Sequence, residues 1–163
     1  MDSLSDKNPL LKQIRRAVSQ GTLTEDGYAV AEGTHLLAEA RAARREIGAV
    51  LAAESAASRF PEARAISDKA FREIASTETP QGIIALVRPA AWTLENMLTA
   101  NALLVVLDGI QDPGNAGAIL RAAEAFGASG VVFLKGTVNP YNPKCLRGSA
   151  GSAFRIKIGR AHV

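Results

Sequence analysis

The chain is short of several things, and each shortage excludes a class of protein. Of 163 residues one is cysteine, Cys145, so an intramolecular disulfide and a cysteine-built zinc site are both ruled out. No stretch approaches eighteen uninterrupted apolar residues, and the opening MDSLSDKNPLLKQIRR has no apolar signal core, so no membrane span or leader is expected. Fourteen glycines and seven prolines are ordinary counts, which excludes collagen-like and disordered chains. No internal repeat or low-complexity segment occurs. Acidic residues are missing from Val131 to Val163, whereas Lys135, Lys144, Arg147, Arg155, Lys157 and Arg160 all fall there. That segment contributes six positive charges against an overall net of +3, leaving the preceding residues net negative by three. Clustered charge of this kind steers polyanionic partners, and it is equally consistent with a solvated surface. A globular, cytoplasmic protein that binds no metal is expected.

What is present is an alternation of helix and strand. Leu10, Leu11, Ile14, Ala17 and Val18 have helical spacing over 8–19, with Arg15 and Arg16 on the other side. Strands are predicted at 28–31, 47–53, 63–66 and 83–87. Between them come a helix from Leu36 to Glu46 capped by Thr34, and another over 68–75 capped by Ser67. Residues 89–99, with Pro89, read as a linker. A second α/β unit then begins, with strands at 102–107 and 131–134, a helix over 114–126 ended by Gly127, a short helix from Lys144, and a strand at 154–158. Alternating strands and helices imply an α/β layer architecture.

Three strands do not complete a doubly wound sheet, and each further βα unit needs about 30 residues. About 60 to 90 residues are therefore expected beyond Ile158. Residues 158–163 read IGRAHV, the translation of ATC GGA AGA GCA CAC GTC, a widely used sequencing-adapter string. They are expected to be adapter-derived, the alternative being a genuine basic tail.

The chemistry concentrates in LLVVLDGIQDPGNAGAILRAAEAFGASGVVFLKG, residues 103–136. A glycine-rich loop between a buried strand and a helix is where α/β proteins take ligands. The spacing is Gly114-x-x-Gly117 rather than G-x-G-x-x-G, and Leu134-Lys135 offers no acid for a ribose. Both features argue against a dinucleotide site. Helical geometry places Ala116, Ile119, Ala122, Ala123 and Phe126 toward the sheet and Gly114, Gly117, Arg121 and Glu124 opposite. Two glycines beside an arginine admit another backbone or a ligand, and a guanidinium can fork onto phosphate. The plainer alternatives are an Arg121–Glu124 surface pair and an Asn115 that merely caps the helix.

DPGNAGAILRAAEAFG resembles the first signature motif of the SpoU/TrmH family of RNA 2′-O-ribose methyltransferases, of the SPOUT superfamily. Asn142-Pro143-Lys144 and the run from Arg147 to Phe154 are similar to the family's N-P-K…R-x-S-A-G segment. Asn8-Pro9-Leu10, Ala31-Glu32-Gly33 and Thr79-Pro80-Gln81-Gly82-Ile83 resemble its N-terminal substrate-binding domain. The resemblance implies an α/β sandwich akin to RNA-binding ribosomal proteins over 1–88, then over 100–157 the first part of a Rossmann-like, normally trefoil-knotted SPOUT domain. It implies Arg121 as the catalytic arginine, Asn115 shaping the same site, and Lys144 and Arg147 along the RNA path, with Arg15 and Arg16 as further RNA contacts. S-adenosylmethionine is the implied cofactor, RNA (ribosomal RNA foremost) the partner, and a homodimer the assembly. The glycine/glutamate loop and Ser-Leu-Asn segment that hold the cofactor in the family do not occur here, so no cofactor-binding residue is assigned and the 163-residue form is expected to be inactive. The alternative is a non-catalytic RNA-binding protein.

Overall fold

A computed structural model describes residues 4–161; His162 and Val163, the end of the adapter-like tail, lie outside them. The chain divides between Pro89 and Ala90 into two compact units.

Unit 1 is built on a four-stranded sheet of β1 (Ala29–Glu32), β2 (Ile47–Ala53), β3 (Arg64–Ile66) and β4 (Ile83–Val87) in the order β1-β4-β2-β3. β4 runs antiparallel to β1 and β2, and β2 runs parallel to β3. Every residue of β4 is buried, as a central strand covered on both faces requires. Alternation explains the two covers. Val30, Leu51, Ile66, Ile84 and Leu86 join Leu11, Ile14, Phe71 and Ile74 in one core, which places α1 (Pro9–Gln20) and α3 (Asp68–Ile74) on that face. The intervening Ala29, Ala31, Ala52 and Ala85 are equally buried, and α2 (Thr34–Ala42) lies against β1 and β4. The result is the expected α/β sandwich. Asn8 caps α1 by accepting the Leu10 N–H at 2.9 Å, with Pro9 in the first turn and Gly21 closing the helix at φ 64°. Ser67 caps α3 as expected, accepting from the Ala70 N–H at 3.1 Å.

Two local expectations change. Thr34 does not cap α2; it is the helix's first residue, and its N–H and hydroxyl both donate to Gln81 Oε1, at 2.9 and 3.0 Å. The helix also stops at Ala42 rather than Glu46, because Arg44 takes φ 54° and turns the chain. Arginine rarely adopts that conformation, so the sequence carries none of the usual glycine stop signal.

Unit 2 is a parallel three-stranded sheet, β5 (Leu104–Leu107), β6 (Gly130–Leu134) and β7 (Ile158–Ala161), in the order β5-β6-β7. The third strand is not at 154–158: Ser152–Phe154 is a 3-10 turn, and pairing starts at Ile158, opposite Val131. Residues 158–161, set apart by their adapter-like sequence, therefore occupy a strand position in the sheet. The stretch read as a linker belongs to this unit from Ala90 onward. It holds α4 (Leu94–Met97), whose Met97 is fully buried. A Cβ on Gly130 or Gly159 would fall 2.9 Å from the Met97 side chain, so both glycines make room for it. Lys157 ties the same segment, donating to the Asn96 carbonyl at 2.6 Å and standing 5.2 Å over the Trp92 ring. α5 (Pro113–Ala125) and α6 (Pro143–Ser149) complete the unit.

Candidate functional site

The site is assembled from the α5–α6 pair. α5 begins with Asp112 as N-cap, its Oδ1 accepting the Asn115 N–H at 2.7 Å, and Pro113 at the first helical position. Asn115 is therefore neither cap nor first residue. The helix N-terminus is closed by its own carboxylate, which opposes an anion there. α6 is built alike: Asn142 Oδ1 accepts the Lys144 N–H at 2.9 Å, Pro143 follows, and the helix ends where Ala150 and Gly151 take φ 50° and 93°.

The two helices meet backbone to backbone. A Cβ on Gly117 would lie 2.4 Å from the Cys145 carbonyl oxygen and 2.8 Å from Gly148 C and Ser149 N. One on Gly148 would lie 3.0 Å from the Gly114 carbonyl oxygen. Of the two uses open to the glycines, a second backbone is the one the structure shows. Buried Ser149 holds the end of α6, donating to Leu146 O at 2.8 Å and accepting from the Ala153 N–H at 3.3 Å. Cys145 is sealed inside, where burial pushes its thiol up to about 12. At neutral pH it is an uncharged packing group rather than a nucleophile or ligand.

The face assignment of α5 is corrected in part. Ala116, Gly117, Leu120 and Ala123 are buried, whereas Phe126 is 86% exposed and Ala122 is also open to solvent. Arg121 follows Gly114 and Gly117 along one helical stripe, so its side chain emerges on the α6 side. It is exposed, and among the described residues it makes no hydrogen bond or ion pair. The alternative surface pair with Glu124 does not form, because Arg155 Nε takes that carboxylate at 2.9 and 3.2 Å. Lys144 is exposed and Arg147 half-buried on α6, so the structure brings the elements bearing Arg121, Lys144 and Arg147 together. Asn115 sits apart from Arg121, about 9 Å along the axis and about 120° round it. Arg15 and Arg16 belong to unit 1 and are engaged, Arg15 with Glu73 and Arg16 with Glu25 at 2.8 Å.

The carboxyl ends of β5 and β6 are where a cradle for S-adenosylmethionine would lie in a parallel sheet of this kind. Thr137 bridges them, its hydroxyl donating to Leu107 O at 3.0 Å and accepting from the Gly109 N–H at 3.1 Å. Beyond that bridge, Cβ positions on Gly109 and Gly136 meet nothing within 4 Å. The described residues thus present an open edge there and do not by themselves fit the cofactor. No group of three or more potential metal ligands occurs among them. No described helix is long and apolar enough to cross a membrane.

Sequence reasoning missed a polar cluster in unit 1. Glu32, 7% exposed, accepts from the Ser76 N–H and hydroxyl, both at 2.7 Å, and from the Thr77 hydroxyl. The available signal was the pair of segments Ala31-Glu32-Gly33 and Thr79-Pro80-Gln81-Gly82, which carry no contact information when read singly.

Comparison with known proteins agrees with this division. Residues 8–85 match the MRM3-like substrate binding domain, and residues 102–162 match the SpoU rRNA methylase family. A Bacillus subtilis 23S rRNA (guanosine(2553)-2′-O)-methyltransferase is 31% identical over 98% of this chain and 64% of its own length. A Synechocystis protein called an uncharacterized tRNA/rRNA methyltransferase is 35% identical over 93% of this chain and 59% of its own. Among solved structures, an AdoMet-bound rRNA methyltransferase from Sinorhizobium meliloti superposes with a TM-score of 0.80 at 26% identity, over 99% of this chain and 64% of that one. The chain thus spans less than two thirds of the length of these relatives. With both units matched in order, it belongs to the SpoU/TrmH family.

Proposed function

We propose that the chain forms part of an RNA methyltransferase that moves a methyl group from S-adenosylmethionine to a ribose 2′-hydroxyl, with ribosomal RNA as substrate. Unit 1 recruits RNA, and unit 2 supplies the catalytic arginine. The observation that carries this is Arg121: an exposed guanidinium without an intramolecular partner among the described residues, beside the glycine crossing of α5 and α6. It lies within the segment matched to the SpoU rRNA methylase family, and the Bacillus relative is named for ribosomal 2′-O-methylation.

A ribose hydroxyl is a poor nucleophile and needs its developing negative charge stabilised as its proton leaves. A guanidinium stays protonated through the physiological range, so Arg121 orients the target phosphate and stabilises charge at the 2′-oxygen rather than acting as a neutral base. Lys144 and Arg147 extend positive charge along α6 for the RNA backbone, and Asn115 shapes the loop end of the same helix. Arg15 and Arg16 are secondary contacts, since exposed ion pairs of the kind they make hold at most about 1 kcal/mol and release readily. S-adenosylmethionine is the methyl donor this reading requires. A homodimer in the cytoplasm, with no metal and no membrane, completes it.

The test is methyl transfer from labelled S-adenosylmethionine to a ribosomal RNA fragment by the protein at the length its gene encodes. Arg121→Ala is expected to reduce transfer at least a thousandfold while RNA affinity changes less than fivefold. Retained transfer would overturn the assignment. The non-catalytic RNA-binding alternative requires that the wild-type protein transfer no methyl group while still binding RNA.

A further inference from the structure

Unit 1 contains a groove of about 430 Å³ between the 3-10 turn Glu54–Arg59, α3 and the loop 75–82. Its volume falls in the range of pockets that enclose a nucleotide-sized group. Ala53, Ala56, Phe71 and Ala75 give it an apolar floor, and four charged side chains, Arg59, Arg72, Asp68 and Glu78, line it. The function proposed above uses none of them.

The loop wall is fixed in place. Its Ser76 and Thr77 hang from the buried Glu32 carboxylate at the end of β1. Its Gln81 is held through the side chain by Thr34 and through the carbonyl oxygen by Arg59 Nη2 at 3.0 Å. A cleft held this way loses little conformational entropy when it is filled. Arg72 is exposed and forms no hydrogen bond or ion pair among the described residues. Asp68, one turn earlier on the same helix, feels the Arg72 charge but accepts its hydrogen bonds from the Ser55 N–H at 3.1 Å and hydroxyl at 2.8 Å, which leaves the Arg72 donors open. Arg59 stands 5.3 Å from the Phe60 ring and keeps donors to spare after bonding Gln81.

Two cations facing two carboxylates give no net preference for a bare anion. They match a ligand that brings an anionic phosphate together with base N–H donors, which carboxylates accept. A base stacked and paired in a duplex is not free to leave it for the groove, whereas single-stranded segments can splay a base outward. We propose that this groove seats one unpaired nucleotide of the RNA substrate, with its phosphate on Arg72 and its base on the Ala56–Ala75 floor. The proposal rests on the RNA-recruiting role given to unit 1.

The test uses the whole 163-residue chain and a fluorescein-labelled, mixed-sequence single-stranded RNA of about 12 nucleotides, with a fully paired hairpin of equal charge for comparison. Arg72→Ala is expected to weaken single-strand binding at least fivefold. Lys69→Ala, which removes an exposed cation of the same helix outside the groove, is expected to change it less than twofold. The same RNA carrying 4-thiouridine is expected to photocrosslink within residues 53–82. RNA binding with equal effects of the two variants, with crosslinks only outside 53–82, or with equal affinity for the hairpin would overturn the groove while leaving the RNA reading intact. Failure of the wild-type chain to bind any RNA at low salt would overturn the RNA reading of unit 1, and the groove with it.

Discussion

A methyl group at position 117 would have no place to go. The Cβ of an alanine there would sit 2.4 Å from the Cys145 carbonyl oxygen, which belongs to backbone and cannot swing aside. The only relief is separation of α5 from α6, and overpacking of this kind costs about 1–3 kcal/mol. Gly117→Ala is therefore expected to lower the denaturation midpoint of unit 2, followed through its own amide signals, while leaving those of unit 1 unmoved. An unchanged midpoint would show that the helices have slack at the crossing. The same pair of residues marks what was legible at this scale. Gly117 and Arg121 stood out by spacing, and the close approach of a second backbone was one of two foreseen uses. The partner of Glu124 was not legible, because Arg155 lies 31 residues away and reaches it only through the fold. Nor was the capping role of Asp112, since Asp112 and Asn115 are both strong capping types three positions apart and only the folded turn chooses between them.

At the scale of elements, the join between the 3-10 turn and α3 depends on one carboxylate. Asp68 accepts from the Ser55 N–H and, next in weight, the Ser55 hydroxyl, and these bonds hold its carboxyl below the usual range. A carboxyl lowered in the folded state adds stability that is present above its unfolded value and is lost as pH falls through the folded one. Ser55→Ala removes the hydroxyl bond and leaves the backbone one, so the Asp68 midpoint in a carbon-detected NMR titration is expected to rise toward its ordinary value. An unmoved midpoint would assign the shift to other causes. Most elements were legible because apolar spacing and caps agreed, as at α1 and α3. Errors arose where the signal was tertiary. Thr34 looks like a cap until Gln81, 47 residues on, takes both its donors. Phe126 fits the apolar stripe of α5 yet lies at the helix end, 86% exposed. The apolar pattern sets the third strand of unit 2 four residues early, because Phe154 and Ile156 are buried in the turn before β7 as thoroughly as strand residues would be.

Across the whole molecule the asymmetry of charge outlasts the details of packing. Unit 2 exposes Arg121, Lys135, Lys144 and Arg160, and none of the four has an ion pair among the described residues. Arg155, by contrast, is spent on Glu124. An exposed cation that neutralises a phosphate releases a counterion, which makes affinity fall with salt by a slope of about −0.7 per contact on single-stranded RNA. If each of the four meets one phosphate, the slope is about −2.8, a loss of about fiftyfold in affinity between 50 and 200 mM salt. Lys144→Ala is expected to flatten the slope by about 0.7 at every salt concentration tested, because it removes one contact and leaves the others in place. The measurement also tests α6 itself. A cation that merely decorates a solvated surface leaves the slope untouched when removed, so an unchanged slope in Lys144→Ala would place the RNA path off α6. The binding would then have to be carried by the other exposed cations of unit 2, Arg121, Lys135 and Arg160, or by unit 1, through the Arg72 groove or after Arg15 and Arg16 give up Glu73 and Glu25.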